Sequence, residues 1–294
     1  MIYKILFVIT FSTTSIAFTQ TEVPINERKA LIALYESTRG DHWTDSWNLN
    51  DPISTWKGVT IKNKHVVEIN LFRNNLRGVL PKDLSRLKHL THLNLAFNTI
   101  AGQLPKEITK LKRLRVLKLE INRIRGGIPI TVGNLSKLEE MSLYNNFLGG
   151  HIPPSLGRLK NLRILNLSGN NFIGMIPNSI GQLTKLEVLG LFENGLEGSI
   201  PKEIGNLVNL QKLVLANNRL SGSLPMELEN LASLRILSIK NNRFESYEGI
   251  QNLVKQSHMV FDDTKGMLDK GFNHLEQDKR TRMADTKFED DNNE

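Results

Sequence analysis

The amino-acid sequence predicts an α/β repeat solenoid, in which similar turns stack to give a parallel β-sheet on a concave face and short helical or 3-10 segments on a convex face. The main observation is an asparagine that recurs every 24 residues. In the first seven repeats, a glycine follows this asparagine by four residues, and a proline follows the glycine by three. Self-similarity at such a period indicates a stack of supersecondary units. The asparagines are Asn74, Asn98, Asn122, Asn146, Asn170, Asn194, Asn218 and Asn242.

Each conserved type of position within the repeat has a physical role. The sequence Leu93-Asn94-Leu95 is typical of the strand, because two inward leucines flank one outward residue. One such strand cannot bury its apolar side alone, whereas strands stacked at about 4.8 Å can. The asparagine amide can pair with backbone groups where the chain leaves the sheet. Glycine permits backbone angles that a side chain forbids, and proline suits the start of the return segment.

The repeat unit, P-x-x-[LIV]-x-x-L-x-x-L-x-x-[LM]-x-[LI]-x-x-N-x-[LIF]-x-G-x-[LI], resembles the plant-type, 24-residue class of leucine-rich repeat. The resemblance covers about Glu68 to Phe244, and the stretch NNFLGGHIPPSLGRLKNLRILNLSGN at 145–170 is close to the consensus of the class. Similar repeats form receptor-kinase ectodomains, polygalacturonase-inhibiting proteins and exported bacterial leucine-rich repeat proteins. The resemblance implies a horseshoe, but it leaves the partner open because this scaffold hosts many functions.

The amino terminus predicts export from the cytoplasm. A short basic start, the apolar run ILFVITF at 5–11 and the small residues at 15–17 are typical of a signal peptide, expected to occupy residues 1–17. The alternative is a membrane anchor, but polar residues interrupt the apolar run well before the roughly 20 residues that a span requires. No later stretch approaches this length. We therefore expect a secreted, periplasmic or cell-surface protein without a transmembrane segment after signal cleavage.

Residues 18–67 resemble the amino-terminal cap of the family, with a helix over about 27–37 and a W-x-G-V motif at 56–59. In plant members a cysteine pair brackets this motif, and here Ser54 and Ile61 stand in the matching positions. Burial of aromatic side chains is therefore expected to close the first turn, although a sugar-binding platform is an alternative use for them. These residues are Trp43, Trp47 and Trp56.

Eight repeats of period 24 are expected over 68–245, followed by a carboxy-terminal cap at 246–261. Residues 262–294 hold ten acidic and six basic residues with few large apolar ones. This composition predicts a charged, flexible tail.

The composition excludes several classes of chemistry. The 294 residues contain no cysteine, which rules out disulfides, thiolate zinc sites and thiol catalysis. His89 and His92 are too isolated for a metal site, and no catalytic arrangement stands out from the repeats. We therefore expect no enzyme activity, no cofactor and no metal. The net charge of +8 biases the surface toward acidic partners, but the basic residues are scattered.

The concave face is the predicted binding surface. Its outward positions, between the strand leucines and after the second one, vary while the scaffold does not. Aromatic residues held in solvent beside charges are favoured anchors for a partner. Eight strands span roughly 34 Å, which suits a protein, peptide or glycan. The alternative is that these side chains only cover the sheet. The predicted contact residues are Phe72, Lys118, Glu120, Glu140, Tyr144 and Phe192.

The sequence therefore favours an exported recognition module, with two alternatives. One is an inhibitor of a secreted hydrolase, by similarity to polygalacturonase-inhibiting proteins. The other is adhesion to an anionic cell-surface polymer through basic residues of the outer face, which could also serve only solubility. No specific nucleic-acid binding is expected. Asn134 and Asn166 lie in N-x-S sequences that would accept a glycan in a eukaryote. The basic residues are Lys82, Arg86, Lys88, Lys106, Lys110, Lys112, Arg113, Arg158 and Lys160.

Overall fold

A computed structural model of the chain describes residues 23–246, 250 and 260–262. The predicted signal peptide and charged tail, and most of the predicted carboxy-terminal cap, lie outside these described residues. The described chain begins with helix α1 (Ile25–Ser37), which starts two residues before the predicted boundary. None of the helices in this part of the chain is long and apolar enough to cross a membrane.

Ten strands form the concave sheet in sequence order. β1 and β2 are antiparallel, and all later pairs are parallel with a register of one repeat, so that Leu93 lies beside Ile69 on one side and Leu117 on the other. The last strand falls inside the predicted carboxy-terminal cap and crosses its boundary, so the cap extends the sheet. The strands are β1 (Val59–Lys62), β2 (His65–Asn70), β4 (His92–Asn94), β6 (Val116–Lys118), β8 (Glu140–Ser142), β10 (Ile164–Asn166), β12 (Val188–Gly190), β14 (Lys212–Val214), β16 (Ile236–Ser238) and β18 (Val260–Asp262).

A second set of parallel strands follows the asparagine of each repeat and was not predicted from the sequence. All of these strands except the last, which has Ser246 at the matching position, contain or border the repeat glycine; Gly102, for example, has φ +77°, where a side chain would be strained. The last six of these strands form one sheet, and the first two pair with each other. The strands are β3 (Arg77–Val79), β5 (Thr99–Ala101), β7 (Arg125–Gly126), β9 (Phe147–His151), β11 (Asn171–Gly174), β13 (Gly195–Gly198), β15 (Arg219–Ser223) and β17 (Arg243–Ser246).

The return segments are short 3-10 helices, in most repeats directly after the proline. They stack tightly across the convex face: a Cβ added to Gly181 would lie 2.2 Å from the carbonyl oxygen of Glu203 in the next segment. With only three to five residues each, they are too short for more than one α-helical turn. The segments are Lys82–Arg86, Lys106–Lys110, Val132–Asn134, Pro154–Arg158, Asn178–Gln182, Lys202–Asn206 and Met226–Asn230.

The repeated asparagines form a buried ladder that links each turn to the previous one. The Nδ2 group of Asn98 donates to the carbonyl oxygens of Leu71, Leu95 and Ala96 at 2.9–3.0 Å. Its Oδ1 atom accepts from the backbone N–H groups of Asn74 and Leu76. One side chain therefore pairs backbone groups of two turns that the bend would otherwise leave unsatisfied.

The amino-terminal cap closes the core with aromatic rings. The rings of Trp47 and Trp56 are stacked, with centroids 4.8 Å apart, and Trp43 meets Trp47 edge to face. All three tryptophans are buried, and each indole N–H donates to a backbone carbonyl. These rings are therefore not available as a sugar-binding platform. The cap belongs to one apolar core that continues to Phe261.

Candidate functional site

The concave sheet presents three columns of outward positions rather than the two considered in the sequence analysis. The additional column precedes the first strand leucine, and of its members only Glu140 was among the predicted contact residues. It includes half-buried apolar side chains that a partner can cover. The column consists of Glu68, His92, Val116, Glu140, Ile164, Val188, Lys212 and Ile236.

The central part of the concave surface has a floor of small side chains. Although these positions point outward, their side chains are buried, because strands about 4.8 Å apart let larger neighbours cover them. The floor therefore contributes shape rather than protruding contacts. It consists of Ala96, Ser142, Asn166, Ser168, Gly190, Ala216 and Ser238.

Glu120 differs from the sequence expectation of an exposed contact. Its side chain is only 9% exposed, and its Oε2 atom is buried without a hydrogen-bond partner. Burial raises the pKa of the carboxyl, although a hydrogen bond from Ser142 and the charge of Lys118 oppose this effect. The expectation was wrong because adjacent turns, 24 residues away, cover this position. Glu120 is therefore a buried carboxyl beneath the concave surface.

Ion pairs cross neighbouring turns beside this carboxyl. The Nζ atom of Lys118 lies 3.4 Å from Oε1 of Glu140, and both side chains are largely buried. A second row of charges lies just before the strands, where Arg115 contacts Glu139 and Arg163 contacts Glu187 at 2.8 Å. The arginine–glutamate pairs hold their charges just before the strands, whereas exposed aromatic side chains lie after the strands.

The apolar side chains at the strand ends form an aromatic patch, defined here as Phe72, Phe97, Ile121 and Tyr144. Phe72 is 45% exposed and Phe97 is 39% exposed, and their ring centroids lie 5.0 Å apart. The backbone N–H of Phe97 donates to Glu120, and that of Ile121 donates to Tyr144, so the four residues occupy consecutive turns. Because large exposed rings so placed favour association, this patch is the candidate binding site.

Two members of the patch have a strained backbone. Phe97 and Ile121 have φ values of 57° and 52°, in the left-handed region. This region is uncommon for large residues and a clear outlier for β-branched ones. The same position carries a residue that tolerates this angle in four other repeats, Asn145, Gly169, Asn217 and Asn241, and a charged residue in the other two, Arg73 and Glu193. Because the angle recurs in every repeat, the scaffold imposes it. Phe97 and Ile121 are the two positions at which it carries a large apolar side chain, so we treat these two side chains as functional candidates.

The sequence analysis identified only part of this site. Phe72 and Tyr144 belong to the aromatic patch, with Glu120, Lys118 and Glu140 close by. Phe192 lies two strands beyond Tyr144, about 10 Å away, and Ser168 stands between them. Phe97 and Ile121 were missed because the search covered strand positions only. A large residue directly before a repeat asparagine was the available signal.

The stacked 24-residue turns, parallel concave sheet and asparagine ladder together define a leucine-rich repeat solenoid. Models of leucine-rich repeats match residues 86–103 and 112–172, and a model of the leucine-rich repeat region matches 146–260. The chain belongs to the leucine-rich repeat proteins, whose repeat regions are recognition domains and typically non-enzymatic. Among the described residues, no group of three acidic or histidine side chains could hold a metal ion.

Solved structures of plant and bacterial proteins share this fold. The ectodomain of the Arabidopsis thaliana receptor kinase GASSHO1/SCHENGEN3, in complex with CASPARIAN STRIP INTEGRITY FACTOR 2, is 32% identical over 80% of the chain, with a TM-score of 0.76. A plant ice-binding protein is 26% identical over 76% of the chain, with a TM-score of 0.67, and 73% of that protein is covered. A leucine-rich repeat protein of Leptospira interrogans is 38% identical over 58% of the chain, with a TM-score of 0.50, and 43% of it is covered.

The similar structures include ectodomains bound to peptide hormones. The chain covers 29% of the GASSHO1/SCHENGEN3 ectodomain, so it corresponds to less than a third of that receptor domain. A search of curated proteins found no significant match.

Proposed function

We propose that this protein is an exported recognition module that binds an extended peptide, or an extended segment of a protein, across its concave face. The observation that carries this proposal is the contact between the exposed rings of Phe72 and Phe97, with the large apolar Ile121 at the matching position of the next turn, where the backbone angle disfavours such a side chain. Asparagine or glycine would fill these two positions with less strain, as in other repeats. Contact with a partner accounts for large apolar residues at these two positions.

The geometry of the concave face favours an extended ligand. The patch offers anchors over four turns, and Phe192 offers a further ring two turns beyond Tyr144. The floor between these anchors is made of small residues, so a peptide backbone can approach the sheet closely. Extended ligands suit this surface because a β-solenoid presents a long binding face rather than an enclosed pocket.

The comparison with receptors supports a peptide over a small molecule. Peptide hormones are bound by several of the leucine-rich repeat ectodomains that the chain resembles. The ice-binding relative has the same scaffold, which shows that the fold alone does not select the ligand. The proposal for this chain therefore depends on the aromatic patch. Export is part of the proposal because the first 17 residues have the pattern of a signal peptide.

A displayed library of linear peptides, selected on the immobilised chain, tests this function. Binding of the enriched peptides is then measured for the wild-type chain and for a Phe97→Asn/Ile121→Asn variant. We expect the variant to lose at least tenfold in affinity, because two anchors at the centre of a contact surface contribute about 1 kcal/mol or more each. Its melting temperature is expected to stay equal or rise, so that the loss cannot be assigned to unfolding.

A Phe147→Asn/Ile173→Asn variant is the matched control. Both side chains are exposed and apolar, but they lie in the second sheet and have ordinary φ values. The control is expected to bind the enriched peptides as the wild type does. Peptides that bind the Phe97→Asn/Ile121→Asn variant with undiminished affinity would remove the aromatic patch from the binding site.

A further inference from the structure

One edge of the solenoid carries a row of uncompensated positive charge. We call it the basic edge: the last residue of each 3-10 segment and the turn that leads from it into the next concave strand. Across seven repeats the acidic residues at these positions are Glu139 and Glu187, which pair with Arg115 and Arg163, and the basic residues concentrate in the first five. In the first five repeats, Arg86, Arg115 and Arg163 also occupy these positions but pair with Asp83, Glu139 and Glu187. The basic edge is therefore defined by the eight remaining exposed lysines and arginines of these repeats: Lys88, Lys110, Lys112, Arg113, Lys137, Arg158, Lys160 and Lys185.

None of these eight side chains forms an ion pair within the part of the chain that the structure describes. Lys112 and Lys160 donate instead to neutral oxygens of Asn134 and Gln182 in the next turn, at 3.0–3.2 Å. Lys185 donates to Oδ1 of Asn161 in the preceding turn, at 2.9 Å. The nearest carboxylates of the strand starts are already committed, because Glu139 and Glu187 contact arginines. The basic edge therefore keeps its full charge for an external partner.

The crowding of positive charge lowers the pKa values of basic side chains on this edge. Desolvation lowers the pKa of Lys88, and the neighbouring ammonium groups of Lys110 and Lys112 lower it further. Desolvation, His65 and Arg113 likewise lower the pKa of His89. The ring of His89 stacks on that of His65 with centroids 3.5 Å apart, and the neutral His89 accepts a hydrogen bond at Nδ1 from Nη1 of Arg113 at 2.9 Å, a contact that protonation of His89 would remove. Such repulsion has a cost that an anionic ligand would remove.

We propose that the basic edge binds a linear anionic polysaccharide. Consecutive turns repeat their charges at about 4.8 Å, and the rows from Lys88 to Lys185 extend over about 19 Å. This line of charge complements a chain of sulfated or carboxylated sugars laid along the solenoid axis. The basic edge lies before the concave strands and the aromatic patch lies after them, so this site is independent of the proposed peptide site.

A polysaccharide fits this surface better than a nucleic acid does. Single-stranded nucleic acids bind positively charged grooves that also present aromatic faces for the bases. The basic edge contains no phenylalanine, tyrosine or tryptophan, and the stacked faces of His65 and His89 cover each other. A polymer recognised by its repeated charge alone is therefore the ligand that the described residues accommodate.

The test uses heparin as the probe and the full chain as the protein. A Lys88→Gln/Lys110→Gln/Lys112→Gln variant is compared with the wild type by titration at several salt concentrations. The matched control, Lys82→Gln/Lys106→Gln/Lys202→Gln, removes the same charge from exposed lysines at the opposite ends of the 3-10 segments. A 20-base-pair DNA duplex is titrated in parallel.

We expect the basic-edge variant to bind heparin at least tenfold more weakly at about 0.1 M salt. The slope of log Kd against log salt concentration should be smaller by about two to three for this variant, because three fewer cations release counterions from the polysaccharide. The control should change by about threefold or less, since only the net charge differs. Equal losses in both variants, or no heparin binding by the wild type, would overturn the proposal. Tighter binding of the DNA duplex would overturn it in favour of a nucleic acid.

Discussion

Ile121 illustrates how one backbone position separates scaffold from binding surface. The position before the repeat asparagine has φ near 50–60° in every turn from Arg73 to Asn241. Asparagine and glycine satisfy this geometry at low cost, whereas a β-branched residue does not. The sequence shows which residue occupies this position in each repeat. That a large apolar residue is unusual there becomes apparent only once the backbone angle is known. Four residues depart from the preference for asparagine or glycine, and of these the charged Arg73 and Glu193 can extend into water, whereas the apolar Phe97 and Ile121 point to a contact surface.

Glu120 leads to a prediction about pH at the same scale. Its pKa is raised, so the folded chain binds more protons than the unfolded chain at pH values just above 4.5, the ordinary pKa of a glutamate. The contribution of this carboxyl to the free energy of unfolding is therefore fully present below pH 4.5, and it is lost as the pH rises through the pKa of the folded state. Glu120→Gln should therefore be more stable than the wild type at pH 7, by about 1 kcal/mol. The advantage should shrink as the pH falls below about 4.5.

Chemical denaturation at several pH values measures this difference. Glu197→Gln is the control, because Glu197 is exposed in the second sheet and the substitution should not change the free energy of unfolding. The opposite outcome would be a Glu120→Gln variant whose stability relative to wild type is lower at pH 7 than at pH 4. That result would show that the folded chain stabilises the ionised carboxylate.

At the scale of the element, the asparagine ladder binds each turn to the next. The Nδ2 group of Asn146 donates to three carbonyl oxygens, and its Oδ1 atom accepts from the N–H of Ile124. Asn146→Ala leaves these buried groups unpaired, and we expect a loss of about 3 kcal/mol in the free energy of unfolding. The exposed Asn171, whose substitution by alanine should change stability by less than about 0.5 kcal/mol, provides the control for the same denaturation experiment. A loss below 1 kcal/mol for Asn146→Ala would contradict the structural role of the ladder.

The elements also show what the sequence can and cannot predict. The concave strands follow from the 24-residue period, because inward leucines such as Leu93 and Leu117 must lie in register. The second sheet was not foreseen, since its strands vary in residue type and depend on a glycine conformation. The burial of Glu120 was missed for a related reason: the neighbours that cover it belong to adjacent turns, and their side-chain directions cannot be read from one repeat.

At the scale of the whole molecule, the solenoid is a nearly one-dimensional stack in which a turn contacts mainly its two neighbours. Stability in such a stack is the sum of local terms and interfaces between neighbours, so the ends can open before the centre. The amino-terminal end is protected by the cap, where Trp56 stacks on Trp47 and donates a hydrogen bond to Asn48. Losing this ring exposes the first turns to water while the interfaces in the centre stay intact.

Trp56→Ala should therefore speed amide hydrogen exchange mainly in the first repeats, over about 59–100, with smaller changes beyond the middle of the chain. Removing a buried aromatic side chain costs about 3–5 kcal/mol, which is enough to populate a state with the cap open. Hydrogen exchange followed by mass spectrometry resolves this by peptide. Leu165→Ala is the comparison: it lies fully buried in the central strand β10, and its cavity weakens two internal interfaces. We expect Leu165→Ala to speed amide hydrogen exchange on both sides of β10, because the weakened interfaces no longer couple the two halves of the stack. A uniform increase along the chain in Trp56→Ala would show instead that the stack unfolds as a single cooperative unit.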